Sequence, residues 1–167
     1  MLKFSYPTPM RGAQSLSSIP FGFLRRPANG NDQPMQGWVA VEEGDYALAV
    51  ATDTRAAYDA LEGELRVNAL RSPIFADHGG KRDERAEFTD QGEHQFRLML
   101  MPAEGDYVPV EREAAQLLSP AERIAGACHK GTLPQSQAGI SIDAPNVELV
   151  ALKRPEEEGG KQFFFYV

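Results

Sequence analysis

One cysteine, Cys128, stands in 167 residues, so no intrachain disulfide can form and a small secreted disulfide scaffold is excluded. A reducing, cytoplasmic setting is the expectation. Basic residues are also short: 17 Lys and Arg against 24 Asp and Glu leave a net charge of -7, with a pI near 5.0. Phosphate binding draws on clustered cations, so a nucleic-acid surface is disfavoured. No apolar run approaches the roughly 20 residues of a membrane span, and the opening Met1-Leu2-Lys3-Phe4-Ser5-Tyr6-Pro7 has no apolar core of signal-peptide length. Neither membrane insertion nor a secretory leader is expected.

Catalytic motifs are missing as well. The three histidines, His78, His94 and His129, share none of the short spacings that set two metal ligands on one helix face or turn. His78 with Asp77 and Asp83 is better read as a solvated polar loop than as a cation site. There is no Gly-x-Ser-x-Gly elbow, and Cys128 reads as a small buried residue rather than a thiolate nucleophile. Gly79-Gly80 and Gly159-Gly160 have no helix after them to hold a phosphate. From its motifs alone, the chain has no self-contained catalytic machinery.

What is present is β pattern. An apolar fraction of 42% and a charged fraction of 25% are those of a globular domain long enough to bury a core. Residues 1–18, with Pro7, Pro9, Gly12 and several serines, read as a lead-in loop, and residues 19–167 as the domain. Residues 19–24 read as a strand ended by Arg25-Arg26-Pro27. Residues 38–41 and 46–51, joined through Glu43-Gly44-Asp45, are apolar on both alternating faces, as in strands covered on both sides. Residues 56–61 continue the pattern, and Glu62-Gly63-Glu64 turns into 65–70. There Leu65, Val67 and Ala69 face one way and Arg66 and Asn68 the other. A strand beginning near His94 is expected to stop at Pro102. Residues 110–118 predict the only helix, with Glu111 and Glu113 in its first turn. Further strands are expected at 138–142, 147–153 and 161–167, the last after the solvated acidic turn Glu156-Glu157-Glu158. Short strands at this spacing predict an all-β antiparallel sandwich with one short helix. Its apolar final strand suggests a piece cut at both ends.

The stretch 65–96 carries the candidate site. Arg71-Ser72-Pro73 leaves one strand, a charged excursion follows, and Asp90-Gln91-Gly92-Glu93-His94 re-enters. Loops held by rigid strands are where function concentrates. Arg71, Ser72, Asp90, Gln91, Gly92 and His94 are the candidates for a cleft or a domain interface. Arg71 is expected to pair with Asp90, and Gly92 to permit a close backbone approach.

Three stretches, in this order, are similar to the C-terminal β region of the family 38 glycoside hydrolases, the α-mannosidases: residues 19–27 (with Gln36-Gly37-Trp38 after them), Leu70-Arg71-Ser72-Pro73 with residues 90–96, and residues 140–142 with 146–153. The resemblance covers roughly residues 19–167 and departs from the family in the longer, more charged segment 74–89. It implies a β-sandwich of the supersandwich, galactose-mutarotase-like kind. It also implies a parent enzyme that cleaves α-mannosides with retention, through an Asp nucleophile and a zinc supplied by an N-terminal barrel that this sequence does not contain. No catalytic residue, metal ligand or cofactor is then expected here, and the partners are the parent's own catalytic and helical domains and its α-mannoside substrate, a sugar hydroxyl of which is the alternative partner for Arg71. A stand-alone carbohydrate-binding or interaction module is the alternative. It is weakened by the single tryptophan, Trp38, which lies in a strand that reads as buried.

Overall fold

The computed structural model describes residues 1–53, 56–73, 88–127, 129–153 and 162–166, and divides into two units, Met1–Pro120 and Ala121–Val167. In the first unit, β1 (Leu2–Pro7), β8 (Glu64–Leu70), β7 (Ala57–Leu61) and the short β4 (Gln33–Pro34) form one sheet in the order β1-β8-β7-β4. A second sheet runs β3-β2-β5-β6-β9, from β3 (Gly22–Pro27), β2 (Gln14–Ile19), β5 (Trp38–Glu43), β6 (Tyr46–Thr52) and β9 (Leu98–Ala103). Every ladder in both is antiparallel. Among the described residues, the expected all-β antiparallel sandwich with one helix is what forms.

Alternation explains the layers. Leu65, Val67, Tyr58 and Ala60 point from the first sheet into a core shared with Val39, Val41 and Val50 of the second. The opposite side chains of the same central strands, Trp38, Ala40, Ala49 and Ala51, pack with Leu16 against Tyr107, Val110 and Ala114 of the helix region. That double burial is why β5 and β6 read as apolar on both faces. The helix α1 (Val108–Leu118) starts two residues earlier than expected, with Tyr107 at its N-cap and a proline in its first turn. That position tolerates a residue without an N–H donor.

Several expectations need correction. Residues 1–18 are not a lead-in loop: β1 pairs with β8, and β2 lies inside the second sheet. Their serines are outward or hydrogen-bonded, as where the buried Ser15 hydroxyl meets Tyr58 Oη at 3.0 Å. The strand expected at 19–24 is a hairpin instead, with β2 ending at Ile19, β3 starting at Gly22 and Pro20-Phe21 between. Pro102 does not end β9, because β9 is an edge strand where a missing donor is tolerated, and pairing continues to Ala103. Residues 94–97 lie outside any strand.

The turn between β7 and β8 places Glu62 at φ 49° and Gly63 at φ 84°, the left-handed pair of a tight hairpin. Its Gly63 carbonyl accepts the Thr8 N–H at 2.6 Å, which ties the end of β1 to the hairpin.

In the second unit β10 (Glu148–Lys153) pairs antiparallel with β11 (Gln162–Tyr166). The strand expected at 138–142 does not form, and Ile140 and Ile142 are 43% and 37% exposed. Two apolar side chains without a buried face to fill cannot define a strand. The acidic turn 156–158, the loop residues Asp77, His78 and Asp83, and Cys128 lie outside the described residues. Among the described residues no helix is long and apolar enough to cross a membrane.

Candidate functional site

The two joints of the 74–87 segment are bound into a neck. Beyond β8, the Ser72 hydroxyl donates to the Thr89 carbonyl at 2.6 Å and accepts from Gln91 Nε2 at 2.8 Å. That same amide reaches the Thr89 carbonyl at 3.2 Å. Thr89 answers from the other side, its N–H and hydroxyl both donating to the Pro73 carbonyl, at 2.9 Å and 3.1 Å. Ser72 and Gln91, both among the candidates, are thus brought together.

His94 completes the turn. Its Nε2 lies 2.9 Å from the Asp90 carbonyl. A carbonyl only accepts, so the proton of that bond sits on Nε2. Asp90 is left-handed at φ 61°, which a short polar side chain tolerates, and Gly92 follows at φ 124°. Gly92 suits that backbone angle, and a Cβ there would meet nothing within 4 Å among the described residues. The His94 ring stacks at 6.3 Å on Phe96, which meets Phe4 of β1 edge-on at 5.1 Å. The re-entry is thereby anchored to a strand that the sequence did not announce.

Arg71 and Asp90 do not form the expected ion pair. Asp90 gives its backbone carbonyl to His94, and the charge of Arg71 helps hold the Asp32 carboxyl below its usual range. Both side chains belong to exposed residues. Ser72→Ala is expected to cost about 1 kcal/mol, the ordinary worth of a partly exposed hydrogen bond. Arg71→Ala should stay within about 0.5 kcal/mol of wild type. Urea unfolding followed by circular dichroism checks the pair, and the reverse ranking would mean that Arg71 holds the neck.

Beside Arg71 lies a charge cluster that motif reading missed. Asp59, on β7, has a fully buried side chain, yet it points away from the apolar core. Lys3 of β1 and Arg66 of β8 close over it, Arg66 donating through Nε at 2.6 Å and again through a terminal nitrogen. Lys3 also reaches Asp32 at 2.7 Å. Burial lowers the Lys3 pKa, but its hydrogen bonds to Asp32 and Asp59 and their charges outweigh this and raise it above the ordinary value. The hydrogen bond from Lys3 is the main reason that Asp32 is depressed. A lone aspartate inside Ala57-Tyr58-Asp59-Ala60-Leu61 was the available signal.

On the helix side, Glu42 accepts from Arg25 Nε at 2.7 Å and from the Tyr107 hydroxyl at 2.5 Å. Burial works to raise the Glu42 carboxyl, but these two hydrogen bonds bring it below its usual range. Burial, then the bond to Glu42, pushes the Tyr107 phenol far above its own. The Ser72 hydroxyl faces a carbonyl and an amide rather than a base, and among the described residues no three His, Cys, Asp or Glu side chains converge to hold a metal. His129 Nδ1 donates to the Lys130 carbonyl at 3.1 Å.

Comparison with known proteins bears on this arrangement. Alpha-mannosidase 2C1 of Mus musculus is 25% identical over 166 residues, 93% of this chain, and that of Homo sapiens is 26% identical over 165 residues. The chain spans only 15% of the length of each. In fold it is similar to an alpha-mannosidase from Enterococcus faecalis V583, with a TM-score of 0.73 and 19% identity over 95% of this chain and 19% of that one. It is also similar to a glycosyl hydrolase family 38 protein from Enterococcus faecalis, with a TM-score of 0.71 and 21% identity over 93% of this chain. The family model described as "Glycosyl hydrolases family 38 C-terminal domain" matches residues 1–79. That match takes in β1 and ends before Asp90. The resemblance drawn from the three sequence stretches therefore holds, and residues 1–79 match the C-terminal domain of the family 38 glycosyl hydrolases.

Proposed function

We propose that this chain serves as the non-catalytic C-terminal β domain of an α-mannosidase-like glycosyl hydrolase, packing on the catalytic portion of a longer polypeptide and closing one side of its cleft. The observation that carries this is the match of residues 1–79 to the family 38 C-terminal domain. In this reading the hydrolysis of α-mannosidic bonds, its retaining course and its zinc belong to residues outside the chain, in a cytoplasmic enzyme. The chain's own groups suit a positioning role. Ser72 and Gln91 spend their hydrogen bonds on the neck, so it is stiff, while Arg71 and Asp90 stay exposed beside it for a neighbouring domain or a sugar hydroxyl.

The test is hydrolysis of an aryl α-mannoside in the presence of zinc. The longer polypeptide carrying this chain is expected to turn it over, and the 167-residue chain alone is expected not to. Turnover by the chain alone would overturn the reading. Saturable binding of mannosides to the chain alone would favour an independent carbohydrate-binding module instead.

A further inference from the structure

The neck leaves hydrogen-bond acceptors over and holds them in fixed directions. Gln91 Nε2 spends its two protons on the Ser72 hydroxyl and the Thr89 carbonyl, which orients the amide, and among the described residues no donor meets its Oε1. His94 is fixed twice, by the Nε2 proton given to the Asp90 carbonyl and by the stack on Phe96. With that proton on Nε2, Nδ1 of the neutral ring carries a lone pair and can only accept. Among the described residues no donor meets this nitrogen either.

An aromatic surface stands at the same joint. Phe88 is 57% exposed, and Thr89 beside it is clamped to the Pro73 carbonyl through both its N–H and its hydroxyl. The buried Trp38 offers a sugar ring no stacking surface, whereas Phe88 does. The acceptors select the ligand. Oriented lone pairs next to the exposed Asp90 carboxylate match a donor and not an anion. A metal ion does not fit, because among the described residues no three His, Cys, Asp or Glu side chains converge. A pyranose has a rim of hydroxyl donors and an apolar face of C–H bonds. Ligand sites commonly combine an aromatic wall with a few placed polar groups in this way.

We infer that Phe88, Gln91 Oε1 and His94 Nδ1 form a saccharide contact, in which one sugar ring of the substrate lies on Phe88 and gives hydroxyl hydrogen bonds to the two acceptors. This contact rests on the function proposed above, since these residues meet substrate only where the domain borders the cleft. The probe is an α-linked mannobiose, used on the longer polypeptide. His94→Gln keeps an amide N–H where Nε2 was, to hold the Asp90 carbonyl, and deletes the acceptor at Nδ1. It is expected to raise KM for the mannobiose about 3–10-fold, the ordinary worth of one hydrogen bond, with kcat unchanged. Phe88→Ala should act in the same direction. A merely structural role would instead lower the unfolding temperature and leave KM alone, and that result in both variants would overturn the contact. Diethyl pyrocarbonate, which acylates an unprotonated imidazole nitrogen, gives a readout free of turnover. Modification of His94, followed by mass spectrometry, is expected to fall several-fold when an S-linked mannobiose, which resists hydrolysis, saturates the longer polypeptide. A polypeptide that hydrolyses mannobiose while His94 stays equally reactive with and without the S-linked sugar sinks only the contact. One in which the sugar shields His94 without any turnover sinks only the α-mannosidase reading.

Discussion

Asp59→Ala is expected to destabilise the first unit by about 3–5 kcal/mol, the range for removing one partner of a buried ion pair. The carboxylate is fully buried, and two cations, Lys3 and Arg66, are held over it on the outward face of the first sheet. Without it they repel each other, and Arg66, only 30% exposed, has lost a two-nitrogen grip. Domains are stable by about 5–15 kcal/mol, so this loss is a large fraction of the whole. Asp32→Ala is the control. It also pairs with Lys3, but its side chain is 49% exposed, and such pairs are worth about 1 kcal/mol or less. Urea unfolding of both variants decides the matter: equal small losses would mean that water screens Asp59 as well.

The same cluster sets a pH dependence. Asp32 has a folded pKa below its unfolded value near 3.8, so its contribution is present above that value and is lost as pH falls through the folded pKa. Lys3 has a folded pKa above 10.5, so its contribution is complete below that value and is lost as pH rises past the folded pKa. Between these limits Lys3 and Asp32 both carry their charges, and their ion pair links β1 to the segment just before β4.

That link also shows why part of the fold was hidden from sequence reading. The alternation of Leu65, Val67 and Ala69 was legible because the face they fill is apolar, and the doubly apolar β5 and β6 because both their faces are covered. β1 was illegible because Lys3 and Ser5 make sense only opposite Asn68 and Arg66, across more than half the unit's sequence. Strand identity there is a property of the pairing rather than of the segment. For the site, Ser72 and Gln91 could be nominated because Arg-Ser-Pro and Asp-Gln-Gly are unusual at strand exits. Which donor meets which acceptor could not, since Asp90 adopts a left-handed backbone and turns its carbonyl, not its carboxylate, to the nearest partner.

Trp38 should be the costliest apolar side chain to remove, with Trp38→Ala expected to lose about 3–5 kcal/mol. It is 1% exposed, the only tryptophan, and stacks on Tyr107 at 5.7 Å with the rings 9° from parallel. Tyr107 is the N-cap of the helix, so a cavity at Trp38 also removes the surface on which that helix begins. The indole N–H is buried without a hydrogen-bond partner among the described residues. A phenyl ring therefore gives up contact area but no hydrogen bond, and relieves an unsatisfied donor. Trp38→Phe should then cost well under half as much as Trp38→Ala, about 1–2 kcal/mol, within the range of a well-tolerated core substitution. The intensity and position of the single tryptophan's emission give an independent readout, because Tyr107→Ala should shift it to the red as the helix start loosens, before the sheets unfold. Equal losses for the alanine and phenylalanine variants would show that the site depends on the indole itself, and a Tyr107→Ala protein with unchanged emission would show that the stack does not shield it.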